Sequence, residues 1–151
     1  MTSFPKPERP QPLLRPAFPV FRDIPTRWMD VDIYGHVNNV QYLSFFDTAV
    51  NGWYVEQGLL DPRSSPTVFL VVETGCHYFS ELIFPETIRA GIRIERIGSS
   101  SVVYQIGLFQ DGKEKPAAQG RFVHVHVGRE TRRPIPIPAE MRDKLNLLIM
   151  G

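Results

Sequence analysis

The order of apolar and polar positions predicts one long helix followed almost entirely by strands. Residues 18–28 read as a first strand, bounded or interrupted by Pro25, and residues 29–39 as a polar turn. Over 40–57 the apolar residues Tyr42, Phe45, Phe46, Ala49 and Trp53 recur at steps of three and four, the spacing of one helical face. Leu43, Val50 and Tyr54 widen that stripe, so most of the helix should be buried. Asn38 or Asn39 can cap its start and Gly58 can end it. Residues 68–79 are apolar on both parities, as in a strand covered on both faces. Residues 88–97 alternate, with Ile88, Ala90, Ile92 and Ile94 on one side and Arg89, Arg93 and Glu95 on the other. Val102, Tyr104, Ile106 and Leu108 repeat the alternation, and Gln110-Asp111-Gly112-Lys113 is a hairpin turn signal before a last strand at 117–127. Pro134, Pro136 and Pro138 remove alternate ladder donors and predict an extended exit, followed by a short helix at 139–148. One buried helix beside about five hairpin-connected strands predicts an α+β domain, an antiparallel sheet wrapped around a single helix.

Composition changes this picture only at the ends. Residues 1–16 hold Pro5, Pro7, Pro10, Pro12 and Pro16 with little apolar content, which reads as an extended or disordered leader, dispensable for folding. Residues 17–151 are then a single domain. A hydrophobic fraction of 42% can build a core without disulfides or metal. A net charge of +1 gives no field favouring nucleic acid or membrane. No apolar run reaches the ~20 residues that span a bilayer, and the leader lacks the apolar centre of a secretory signal. The single cysteine, Cys76, permits no intrachain disulfide and reads as a packing residue. Together these features point to the cytoplasm.

The densest polar cluster is Asp30-Val31-Asp32-Ile33-Tyr34-Gly35-His36-Val37-Asn38-Asn39, between a strand and the buried helix. A helix N-terminus offers free N–H groups and the positive end of the macrodipole, which can polarise a carbonyl. A carboxylate nearby can attack that carbonyl or activate water. The cluster is therefore a candidate acyl-transfer site. It can equally be a capped helix entry in which the acids and amides only satisfy backbone groups.

Arg27-Trp28-Met29-Asp30-Val31-Asp32, then Gly35-His36-Val37-Asn38-Asn39, Tyr42 and Asp47, resembles the signature of the 4-hydroxybenzoyl-CoA thioesterase-like family of hotdog proteins. The resemblance continues through Ile97-Gly98-Ser99-Ser100-Ser101 to the proline exit, over roughly residues 18–148. It implies a hotdog fold, a five-stranded antiparallel sheet around the long helix, pairing of subunits edge to edge as a homodimer or homotetramer, and active sites at the interface. It implies acyl-CoA hydrolysis to free acid and CoA, with CoA as part of the substrate and no cofactor or metal. The family's catalytic aspartate falls on Asp32 and its thioester-oxygen donor on the Asn39 backbone N–H. Direct attack and general-base action both fit. His36 is a candidate to orient Asp32 or touch the coenzyme, and Gly35, Val37, Asn38 and Tyr42 are candidate substrate contacts. Pro85-Glu86 stands where many relatives carry Gly-Asp. No arginine faces Asp47, since Val50 and Asn51 offer none, so Asp47 must find another donor.

Other residues carry competing readings. Asp30 reads as a structural acid bonding local backbone, and Tyr42 chiefly as core. Glu73, His77, His124 and His126 lie on strands but supply no metal-ligand spacing. Arg96 falls on the apolar face of its strand, which a bulge after Glu95 would explain; it is also a candidate phosphate contact, with Arg132 and Arg133 as alternatives. An acyl-carrier-protein thioesterase and a non-catalytic acyl-thioester or fatty-acid binder remain alternatives, the second disfavoured by the retained Asp32.

Overall fold

The computed structural model describes Pro5 and residues 8–149. Five strands form one antiparallel sheet: β1 (Val20–Pro25), β2 (Thr67–Tyr78), β3 (Thr87–Ile97), β4 (Ser101–Phe109) and β5 (Ala118–Gly128), in the order β1-β3-β4-β5-β2. The long helix α1 (Asn39–Glu56) lies against the inner face, and a short α2 (Ala139–Asn146) closes the chain. This is the antiparallel sheet around one helix that the pattern predicts, and the hotdog arrangement that the resemblance implies.

The main α1 stripe forms as its spacing predicts. Tyr42, Phe45, Phe46, Ala49, Val50, Trp53 and Tyr54 are buried, and they meet Ile88, Ala90, Ile92, Ile94, Tyr104, Ile106 and Leu108 in one core. Leu43, expected to widen the stripe, is instead exposed, so the buried face is narrower than the expected burial of most of the helix. Asn38 is the cap: its side chain accepts the Val40 N–H, and Gly58 at φ +72° follows the helix end. At Gly120 of β5 the helix packs hard against the sheet. A Cβ there would stand 2.2 Å from the Phe46 ring, so the sheet accommodates the helix through the absence of a side chain.

Three expectations change. The first strand ends at Pro25, and Trp28–Asp30 is a single 3-10 turn, held by Arg27 and Asp30 bonding reciprocally. β2 is an edge strand, not one covered on both faces; residues 71–75 are exposed, with Val71 at 44% and Val72 at 60%. Its apolar residues on both parities are thus an unpaired apolar edge within one chain. β4 departs in the opposite sense: it is central in the sheet, and Val103 and Phe109 are buried along with the alternating inner residues.

The outer cover comes in part from the leader. Phe18 lies over Gly91 and Gly107 and packs edge-on against Phe109, at 5.7 Å between ring centroids. Arg15 sits over the Phe109 ring at 5.0 Å and donates to the Gln110 and Lys113 carbonyls. The Leu13 N–H donates to Gln119 Oε1 at 2.7 Å, and Arg9 donates to the Tyr78 carbonyl at 2.5 Å. Of the extended or disordered leader, residues 9–15 thus lie in contact with the domain: Arg9, Arg15 and the Leu13 N–H find partners on the sheet and its β4–β5 turn. Residues 1–4 and 6–7 lie outside the described residues.

Candidate active site

The polar cluster folds as a small hairpin at the mouth of α1. Asp30 anchors it. Its carboxylate is fully buried, accepts the Arg27 N–H at 2.8 Å and pairs with the Arg27 guanidinium at 2.8 Å. The Asp30 carbonyl accepts the Asn38 N–H at 2.8 Å, fixing the residue that caps the helix. All of Asp30's bonding capacity goes into architecture, in line with the structural reading.

Asp32 is placed differently. Val31 bridges Val37, the Asp32 N–H donates to the His36 carbonyl at 2.9 Å, and Gly35 turns the chain at φ +84°. Only glycine takes that φ without strain. The half-buried Asp32 carboxylate accepts the Tyr34 N–H at 2.9 Å on Oδ1, with a longer contact to the His36 N–H at 3.4 Å. Oδ2 accepts no hydrogen bond among the described residues. The Asn39 N–H, at the first position of α1, has no intrahelical acceptor and donates to no other described group.

Two open hollows meet at Asp32 and Asn39. One, of roughly 880 Å³, is walled by Trp28, Ile33, Tyr34, Gly35, Asn38 and Phe84. The other, of roughly 450 Å³, is walled by His36, Val37, Tyr42, Tyr78 and Glu81. Ile33 at 91% and Tyr34 at 77% exposed leave the hairpin tip as uncovered apolar surface.

Gly35 and Asn38 thus lie in the first hollow and His36, Val37 and Tyr42 in the second, as a site reading requires. Val37 and Tyr42 are also core residues. The Tyr42 hydroxyl accepts the Leu82 N–H at 3.2 Å, and burial pushes its pKa up. Arg96 does not join them. Glu95 forms the bulge, Arg96 pairs with Val103, and the site loop lies at the Thr87 end of β3. Nine strand residues, about 30 Å, separate the two ends. Within one chain Arg96 is excluded from the site.

Two residues of the site escaped the sequence reading. Glu81 Oε2 lies 2.8 Å from His36 Nε2, and the Tyr78 hydroxyl donates to the Asn39 carbonyl at 3.1 Å. Both come from the end of β2 and the loop after it, some forty residues from the motif. Only the sheet pairing brings them in. Tyr78 is held neutral, its pKa pushed up to about 12, chiefly by burial. Burial also pushes the half-buried Cys76 thiol up to about 11, away from thiolate chemistry. Asp47 finds its donor in Asn51, whose amide reaches it at 2.9 Å, so the residue discounted as a partner is the partner.

The strand histidines have separate structural settings. His126 bonds the Ile135 carbonyl and Thr67 through its two ring nitrogens, while His124 is buried among Tyr54, Phe69, Tyr104 and Phe122.

The family model of the thioesterase-like superfamily matches residues 26–145, from the site loop through α2. The chain belongs to the thioesterase-like superfamily. The PA5185 protein of Pseudomonas aeruginosa is 48% identical; its crystal structure superposes with a TM-score of 0.90, covering 94% of this chain and 99% of that one. The long-chain acyl-CoA thioesterase FadM of Escherichia coli is 20% identical over 83% of this chain and 96% of its own length. A 1,4-dihydroxy-2-naphthoyl-CoA thioesterase from Synechocystis shares the hotdog fold at a TM-score of 0.75 and 15% identity, covering 83% of this chain and 94% of that one. Among the described residues no helix of this superfamily member is long and apolar enough to cross a membrane.

Proposed function

We propose that this chain hydrolyses acyl-CoA thioesters to free acid and CoA, with Asp32 as its working carboxylate. One observation carries the reading: Asp32, with an unused oxygen, and the unpaired Asn39 N–H open onto the same two hollows at the positive end of α1. The thioester carbonyl oxygen takes the Asn39 N–H, which stabilises the negative charge that grows there. Asp32 then either attacks the carbonyl carbon, expelling the CoA thiolate and leaving a mixed anhydride for water to cleave, or takes a proton from the attacking water. His36, held by Glu81, braces the wall beside it. The exposed Trp28, Ile33 and Tyr34 suit an apolar acyl group.

The unpaired β2 edge supports assembly as a homodimer or homotetramer through that strand, which would close the open hollows with a second copy. CoA is substrate, no cofactor or metal enters the chemistry, and the cytoplasm supplies the thioesters. Membership of the superfamily and the acyl-CoA thioesterases among its relatives support the substrate class. The test is thiol release from a panel of acyl-CoAs, acetyl to palmitoyl plus aromatic. Turnover of at least one class is expected. Binding without release across the panel would make the protein a binder instead.

A further inference from the structure

The family model begins at residue 26, yet the chain before it crosses the outer face at one end of the sheet, from β2 to β3. Phe18 covers β3 and β4 at Gly91 and Gly107, Arg15 grips the β4–β5 turn, the Leu13 N–H bonds Gln119 of β5, and Arg9 reaches β2 at its last residue. That last contact falls on the segment that carries the two residues braced against the site. The Arg9 guanidinium donates to the Tyr78 carbonyl and lies over the Phe79 ring at 5.4 Å. From this segment the Tyr78 hydroxyl reaches the Asn39 carbonyl, and Glu81 reaches His36. Arg15 adds a second hold: it bonds the Gln110 carbonyl, and Gln110 Nε2 bonds the Glu81 carbonyl.

The 78–81 segment needs such a hold because β2 ends at Tyr78 and the chain leaves its ladder with β5 there. Fraying ends and the loops beyond them are where local opening costs least. A shift of the 78–81 segment would move both the start of α1 and the His36 ring, and misplacement by an ångström at a reacting centre can cost ~100-fold in rate.

We propose that Arg9 is a positioning residue of the active site, a strap that fixes the 78–81 segment and through Tyr78 and Glu81 sets the helix mouth and the His36 side chain. The catalytic part of this inference rests on the thioesterase reading; the strap itself does not. The test compares the full-length chain with Arg9→Leu and Arg9→Lys, by thermal melting, amide hydrogen exchange and steady-state hydrolysis of the best acyl-CoA of the panel. Arg9→Leu should melt within a few degrees of the parent, exchange faster at residues 79–82 but not in β3 or β4, and lose roughly 10-fold in kcat with KM nearly unchanged. Arg9→Lys should recover part of that loss, because an ammonium can still donate to the Tyr78 carbonyl. Unchanged exchange, unchanged kcat, or loosening spread through β3 and β4 would each overturn the proposal. A parent chain inert toward every acyl-CoA refutes the thioesterase reading, and the exchange data then decide the strap alone.

Discussion

Asp30 and Asp32 stand two residues apart and do opposite work. Asp30 is wholly buried, with its carboxylate spent on Arg27, whereas Asp32 keeps an oxygen uncommitted at the mouth of α1. His124 is buried without such a partner: it is 1% exposed, Nδ1 bonds nothing among the described residues, and burial pushes its pKa down to about 4. Above about pH 6.5 the ring is neutral in both folded and unfolded chains, and its contribution to stability is fully present. As pH falls from there toward about 4, the unfolded ring takes a proton that the folded one refuses, so stability drops. That gap corresponds to ~3 kcal/mol. Urea unfolding at pH 7 and pH 4.5 should therefore show a larger loss in the parent than in His124→Phe, and equal losses would contradict this. At this scale the motif was legible because its residues are contiguous. Glu81 and Tyr78 were not, because nothing in their local sequence encodes a partner forty residues away. Asn51 was passed over because a search for a charged donor overlooks an amide at helical i+4 spacing, which serves equally well.

The elements were legible where one physical rule dominates. The period of α1 and the alternation of β3 emerge in the structure nearly to the residue, and the bulge at Glu95 accounts for Arg96 as strand parity required. β2 shows the limit: apolar residues on both parities say that a strand will be covered, not whether the cover is the same chain. The leader shows another, since proline content speaks of backbone stiffness and donor loss but not of what Arg9 and Arg15 can grip. The fit of α1 to β5 gives a sharp test. Gly120→Ala would drive a methyl group into the Phe46 ring, and overpacking of this kind costs ~1–3 kcal/mol. Thermal melting should show the loss, and a Gly120→Ala protein that melts with the parent would contradict the close fit.

The whole molecule has an apolar, unpaired β2 edge and an open site whose Tyr78 and Glu81 wall comes from the end of that strand. The proposed pairing with a second copy would satisfy the edge and narrow the hollows together. Light scattering at micromolar concentration should give two or four times 17.3 kDa, and an active monomer would contradict a shared site. On the proposed reading, the open hollows, the helix mouth and the uncommitted carboxylate act together as one acyl-transfer site with Asp32 at its centre. The most direct measurement is the hydrolysis rate of purified Asp32→Asn on the best acyl-CoA, with folding verified by its melting temperature. The amide preserves the shape but can neither attack a thioester nor accept a proton from water at neutral pH. A loss of ~100- to 10,000-fold in kcat, with KM little changed, is the expected result, and a folded Asp32→Asn protein that turns over at close to the parent rate would contradict it.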